Sequence, residues 1–246
     1  MKYNGIDLTN YLDVSSYSGF TITIPQDVSM FTPTLGAGSR AVFNKLPNYN
    51  ITALVTIAKD RTTSLDDKLQ FLRTVFAPNT DFVEIQFDES DNKTFIGRYI
   101  DSNLAADYFS VREYTIVFSC LPYRYGTTAT ISGTSSGIVG TNNGTAPALG
   151  TVSFTVSGSP DSVAVVLAGT TGAITLIPYG EDTLDGDWVI DLDSRTVTLD
   201  GETALNFVSF TATDWEHFVV PVGAYTINVT GGTISNTSYT YRERYL

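Results

Sequence analysis

Only one stretch of this 246-residue chain carries the periodicity of a helix, and that shortage constrains the fold more than any other feature. In Thr63–Phe76 the residues Leu65, Leu69, Leu72 and Phe76 recur at i, i+4, i+7 and i+11, one face of a helix. Ser64 is placed to cap the N-terminus, and Asp67 follows at the capping-box spacing. Asp66 and Asp67 complement the dipole at the start and Arg73 at the end, and Pro78 stops the run. The apolar stripe reads as a helix packed on a sheet rather than as a partner-binding helix.

Elsewhere the pattern is that of strands. Ile51–Ile57, Phe82–Phe87, Thr94–Ile100 and Tyr114–Phe118 are β-branched, aromatic and mostly alternating. The second and third are separated by the acidic turn Asp88-Glu89-Ser90-Asp91-Asn92. Past residue 126 six more strands are expected: Thr151–Val156, Val163–Ala168, Ala173–Ile177, Trp188–Leu192, Thr196–Leu199 and Tyr225–Val229. Trp188–Gly201 reads as a hairpin around Asp193-Ser194-Arg195, and Ser238–Leu246 as a closing strand. The expected class is mainly β. An N-terminal β-sandwich or barrel-like domain with one helix precedes a C-terminal antiparallel β-sandwich of jelly-roll type.

Composition changes near residue 126, from mixed charge to Gly, Thr and Ser, which places a boundary around Pro122–Gly133 and domains at 1–126 and 127–246. Gly133–Gly150 reads as a linker, or as the connection into the first strand of the second domain. A chain this long is one or two domains and needs no disulfide or metal to fold.

Charge and composition exclude several functions. The net charge of −12 divides into −3 for residues 1–126 and −9 for 127–246, and no Lys follows Lys93. Nucleic-acid contact and binding to anionic membranes both need cations, so neither is expected. No apolar run approaches the roughly 18 residues of a membrane span, and the opening Met1–Leu12 lacks the apolar stretch of a signal peptide. A single Cys and a single His rule out an intrachain disulfide, a Cys-rich zinc site and a multi-histidine metal site.

No catalytic, cofactor or metal residues are expected. His217, in Asp214-Trp215-Glu216-His217, has no G-x-S-x-G nucleophile to serve and reads as a core or surface histidine. Cys120 ends an apolar strand and reads as a small hydrophobe. Asp182, Asp185, Asp187, Asp191 and Asp193 form the densest acidic cluster, with Asp191 and Asp193 expected on one strand face, but their spacing does not fit a calcium loop. Gly36-Ala37-Gly38-Ser39-Arg40 fits no phosphate loop. The Pro25–Arg40 segment is long and apolar at its middle. It reads either as a pinned surface loop or as an arm that packs on a neighbouring subunit, through Met30, Phe31, Leu35 and Arg40.

Several short motifs, in order, resemble one family. They are Tyr3-Asn4-Gly5-Ile6-Asp7-Leu8 leading into Tyr11–Val14, and the strand and helix Ile51–Ile57 and Leu65–Phe76. Phe87–Asp91 follows, and then Tyr114–Cys120 running into Leu121-Pro122-Tyr123-Arg124-Tyr125-Gly126. Asn142–Pro147, the hairpin Ile190–Gly201, Pro221-Val222-Gly223 and Tyr241–Leu246 complete the set. The pattern is similar to the distal tail (Dit) proteins of siphophages. Two features depart from it: the acidic turn lacks its usual proline, and Leu121 stands where an Asp is common.

The resemblance implies a structural protein of the virion at the distal end of a non-contractile tail. It implies a hexameric ring of N-terminal domains that meets the tail tube and the tail-associated hub or tape-measure proteins. It also implies galectin-like C-terminal domains that hold receptor-binding or side-fibre proteins, with no cofactor. The alternatives are a non-catalytic carbohydrate-binding module, read through Trp188 or Trp215, and another tail tube or completion protein.

Overall fold

The computed structural model describes residues 1–19, 28–31, 40–43, 48–77, 81–87, 92–133 and 137–246, with the backbone alone for 28–31 and 40–43. Its elements are overwhelmingly antiparallel strands with a single α-helix, the class expected from the alternation. The chain divides into two compact units, residues 1–125 with Leu246, and 126–245.

The first unit opens on a hairpin, β1 (Lys2–Tyr3) and β2 (Ile6–Asp7). Its two-residue turn is Asn4-Gly5, both at positive φ (49° and 75°), the backbone that a type I′ turn demands. β3 (Asp13–Ser18) follows, then the two-stranded ribbon β4 (Val28–Phe31) and β5 (Arg40–Phe43), a separate sheet in which Phe31 pairs with Arg40. The ends of the expected arm are therefore regular strands; Leu35 and the rest of 32–39 lie outside the described residues. β6 (Tyr49–Ala58), α1 (Leu65–Val75), β7 (Val83–Gln86), β8 (Thr94–Tyr108) and β9 (Val111–Ser132) complete the unit.

α1 forms where its periodicity places it. Ser64 Oγ accepts the Asp67 N–H at 3.1 Å and hydrogen-bonds the Asp67 carboxylate at 2.6 Å. Leu69, Leu72 and Phe76 are buried and Leu65 is partly so. Lys68 is also buried, and it is tolerated because its ammonium meets Asp60 at 2.8 Å. That bond, with donors from Thr62 and Thr63, holds the Asp60 carboxyl well below its usual range. Pro78 and Asp88–Asp91 lie outside the described residues.

β8 and β9 run far beyond the short strands that the sequence suggested. β9 runs on through Pro122 to Ser132, so the division between the two units, at Tyr125 and Gly126, falls within a strand and not in a linker. Pro122 fits inside a strand because the β8–β9 register slips there: Phe95 pairs with Arg124 but Gly97 with Cys120, leaving a bulge that needs no ladder donor from Pro122.

The second unit holds β10 (Gly137–Asn142), β11 (Gly150–Ser157), β12 (Val163–Leu167), β13 (Ala173–Leu176), β14 (Gly186–Asp191), β15 (Thr196–Leu199), β16 (Glu202–Thr203), a 3-10 turn (Leu205–Phe207), β17 (Gly223–Thr230) and β18 (Thr233–Tyr245). The six expected strands, the hairpin and the closing strand are all present. The supposed linker is not one: Gly137–Asn142 is β10, paired residue for residue with β17. Its sequence, GIVGTN, has too few large side chains to advertise a strand.

Strands β16-β15-β14-β11-β18 form one sheet and β10-β17-β12-β13 the other. Alternate residues of both, among them Phe154, Trp188, Tyr239, Val165, Ile174 and Ile227, share one buried cluster, the geometry of a β-sandwich.

Tyr239 is fully buried, and its hydroxyl has no hydrogen-bond partner among the described residues. An unsatisfied buried hydroxyl contributes desolvation cost without a compensating bond. Tyr239→Phe is therefore expected to leave the urea midpoint unchanged or to raise it, with an effect within about 0.5 kcal/mol of neutral or on the stabilising side. A loss above about 1 kcal/mol would show that the hydroxyl is bonded.

Candidate functional site

The residues that could carry chemistry are each engaged in holding the fold. His217 is exposed, and its Nδ1 meets Asp214 at 2.8 Å while its backbone N–H donates to the same carboxylate. Partial burial raises the Asp214 pKa, but the bonds from His217 and from Thr171 Oγ1 outweigh it and leave the carboxyl low. This is a loop clasp. Cys120 is fully buried, and burial pushes its thiol up to about 12, so it is a thiol and not a thiolate at neutral pH.

The acidic cluster is dispersed over separate structural tasks. Asp185 accepts from the backbone and hydroxyl of Ser159, Asp187 from Thr155, and Asp191 from the N–H groups of Asp193 and Ser194. Asp193 pairs with Arg244 at 3.2 Å. Asp191 and Asp193 do not share a strand face: β14 ends at Asp191, whose carboxylate shapes the turn that contains Asp193. Among the described residues no group of three or more His, Cys, Asp or Glu could hold a metal. Trp188 is fully buried and donates Nε1–H to the Leu184 carbonyl at 2.8 Å, so its ring is not offered to a sugar.

What remains available is surface of the first unit. There β3, β6, β9 and β8 lie side by side, each antiparallel to the next. Among the described residues β3 pairs with β6 alone. β7 covers β8 only at Phe95–Gly97, and Tyr3 Oη caps the Tyr99 N–H at 3.3 Å. From Ile100 to Tyr108 the outer edge of β8 pairs with no described strand. Among the described residues both borders of the four-stranded sheet are thus edges, and an edge strand offers unpaired N–H and C=O groups to a further strand.

The two faces of this sheet differ. Towards α1 stand Val55, Ile57, Tyr114, Ile116, Phe118 and Tyr99; away from it stand Thr52, Thr56, Thr115, Asn103, Asp101 and Glu113, with Leu54 and Val117 among them. On the α1 side a groove of about 350 Å³ opens between Leu69, Leu72 and Phe76 of the helix and Tyr99, Tyr114 and Ile116 of the sheet. Ser102 is also part of its wall, so the groove reaches the free edge of β8. Leu104, opposite Tyr114 in the register, stands on the same side and is 51% exposed. Sequence reading missed this edge because Asp101-Ser102-Asn103 interrupts the apolar alternation that marks a strand.

Residues 143–245 match the family model of the siphovirus-type tail component, C-terminal domain. That stretch of the second unit is similar to the C-terminal domain of this family. No curated protein matches the chain. The fold agrees: the Dit protein of phage SPP1, described as a paradigm of the hub adsorption apparatus of phages infecting Gram-positive hosts, superimposes with a TM-score of 0.74 at 20% identity, over 99% of this chain and 98% of that one. A chain of the phage p2 baseplate, solved in its activated conformation with strontium, gives 0.51 at 11% identity, over 96% and 92%. The match over residues 143–245, with the shared fold, supports a structural role in a siphovirus tail.

Proposed function

We propose that this chain is the hub at the distal end of the tail, where six copies close a ring through residues 1–126 and residues 127–246 stand as a separate galectin-like domain. The observation that carries this reading is the pair of free edges. β3 runs antiparallel to β6, β6 to β9 and β9 to β8, so β3 and β8 are themselves antiparallel. The β8 edge of one copy can therefore accept the β3 edge of the next and continue the alternation without a break. Such a contact is heterologous, joining two different surfaces, and heterologous contacts give a ring when the rotation between copies closes. Six is the number that the family resemblance implies.

The face away from α1, polar but for Leu54 and Val117, suits the wall of a channel, since its hydroxyls and amides are hydrated and its carboxylates repel nucleic acid passing through. The tail tube on one side, the tail-associated hub or tape-measure proteins on the other, and receptor-binding or side-fibre proteins on the second domain are the partners of this arrangement.

The test is the mass of the full chain across a concentration series, with negative-stain images of the heaviest species. A six-fold ring with a central channel is the expected result, and a monomer at every concentration overturns the reading. Within it, Met30, Phe31, Leu35 and Arg40 belong to the arm that reaches the neighbouring copy. Deleting Ser29–Gly38 is expected to leave a folded monomer with unchanged far-ultraviolet circular dichroism. Rings formed by the deleted protein would refute the role of the arm.

A further inference from the structure

The chain holds two Asn-Gly pairs, Asn4-Gly5 and Asn143-Gly144, and the fold treats them differently. Such a pair is open to an internal reaction, because a glycine leaves its backbone nitrogen accessible to the side-chain amide before it. We propose that Asn4-Gly5 is a modification site, where Asn4 converts spontaneously to an aspartyl or isoaspartyl residue in the folded protein, while Asn143-Gly144 is locked against the same reaction. The inference does not depend on the ring reading. The reaction needs only water. The Gly5 nitrogen loses its proton and bonds to Asn4 Cγ. The bond from Cγ to Nδ2 breaks, and that nitrogen takes up the proton and leaves as ammonia. Water then adds to one carbonyl of the cyclic imide. Opening at Cγ leaves an aspartyl side chain, and opening at the backbone carbonyl leaves an isoaspartyl link, in which the main chain runs through the former side chain.

At the first pair nothing stands in the way. Asn4 and Gly5 are exposed, and a Cβ built on Gly5 meets no atom within 4 Å. Among the described residues no hydrogen bond holds the Gly5 N–H or the Asn4 side chain. The Asn4 N–H is fixed to the Glu84 carbonyl, but β2 beyond the turn is a two-residue border strand with both residues exposed, so Gly5 is free to swing towards the amide. The second pair is clasped from both sides. Gly144 is buried, its N–H donates to Asn142 Oδ1 at 3.0 Å, and a Cβ on it would fall 2.4 Å from the Arg244 carbonyl oxygen. Asn143 Nδ2 donates to Glu243 Oε1 at 3.0 Å and its backbone N–H to the same oxygen at 3.3 Å. Nucleophile and amide are thus each tied to another partner.

The isoaspartyl product reaches the core. It adds a carbon to the main chain between Tyr3 and Ile6, whose pairing requires a two-residue turn. Tyr3 is buried, edge on to Phe76 at 5.1 Å, with its hydroxyl on the Tyr99 N–H, in the same cluster as Cys120.

The test incubates the full chain in mildly alkaline buffer, folded and, in parallel, unfolded in guanidinium chloride. Peptide mapping by mass spectrometry follows the gain of about one dalton at each pair, and methyl transfer to isoaspartyl groups identifies the link. Unfolded, both pairs are expected to convert at similar rates. Folded, Asn4 is expected to convert at least about ten-fold faster than Asn143, a factor within the net worth of the hydrogen bonds that hold the second pair. Glu243→Ala, which releases the Asn143 amide, is expected to narrow that gap. The isoaspartyl fraction is expected to expose Cys120 to a thiol reagent faster than Asn4→Asp, which brings the charge without the longer chain. Equal rates at the two pairs in the folded chain, or no conversion at Asn4, overturn the proposal. Equal labelling of the isoaspartyl fraction and Asn4→Asp overturns the effect on the core.

Discussion

Trp188→Ala is expected to cost the second unit about 3–5 kcal/mol, the loss typical of truncating a fully buried tryptophan. Trp188 sits on β14 with no exposed surface, its ring edge on to Phe207 at 5.5 Å, and its Nε1–H bonded to the Leu184 carbonyl. Truncation removes the largest fully buried side chain of the sandwich and leaves a buried carbonyl without its donor. The readout is the urea midpoint followed by circular dichroism, because the substitution removes one of the two tryptophans. Trp188→Phe keeps most of the volume but not the donor, and is expected to cost about half as much. A Trp188→Ala loss below about 1 kcal/mol would mean that the ring is not the keystone of this core.

Gly97→Val in the first unit is expected to be destabilising by about 3 kcal/mol, the upper range of overpacking. A Cβ built on Gly97 falls 2.8 Å from Cys120 Sγ, 2.9 Å from the Ser119 carbonyl oxygen and 3.1 Å from Ile85 Cδ1. The first and third belong to side chains that can shift, but the second is backbone of β9 and cannot move without opening the ladder. The single thiol reports the outcome, since Cys120 is shielded when folded and reacts with a thiol reagent once the first unit opens. Both tryptophans belong to the second unit, so their fluorescence serves as the internal control. Cys120→Ala in the Gly97→Ala background is expected to recover part of the loss, by removing the sulfur, and to leave the part due to the Ser119 carbonyl. Equal labelling rates in the Gly97→Val variant and the unaltered chain would overturn the argument.

The elements that local chemistry specifies were legible in the sequence. α1 is set by its cap and stripe, and β15 by four alternating residues between turn signals, and both lie where the pattern put them. The Asp193-Ser194-Arg195 turn was legible for the same reason: Arg195 sits at φ 56°, beside a carboxylate at Asp191 that ties down the turn amides. β10 was not legible, because Gly137–Asn142 is held by its pairing with β17 and not by its own side chains. The continuity of β9 through Pro122 was not legible either, since a proline in a strand is tolerated only where a bulge in the partner register excuses its missing donor, and register is a property of two strands.

The candidate site divides in the same way. One His, one Cys and the spacing of the carboxylates gave the sequence no grouping to single out for catalysis. The arm residues Met30, Phe31, Leu35 and Arg40 drew attention by composition. The edge of β8 with Ser102 and Leu104 and the groove under α1 were invisible, because no local pattern tells which strands will end with an unpaired side.

By itself, then, the sequence determined the class of the protein: mainly β, with one capped helix and an acidic second half. These follow from side-chain period, capping and charge, which act over a few residues. The tertiary structure alone decided where the strands begin and end, that Trp188 and the acidic cluster serve the fold, and that β3 and β8 are antiparallel edges with no further partner among the described residues. Those outcomes depend on pairings between residues far apart in the chain, and an edge exists only once every other strand has taken its partner.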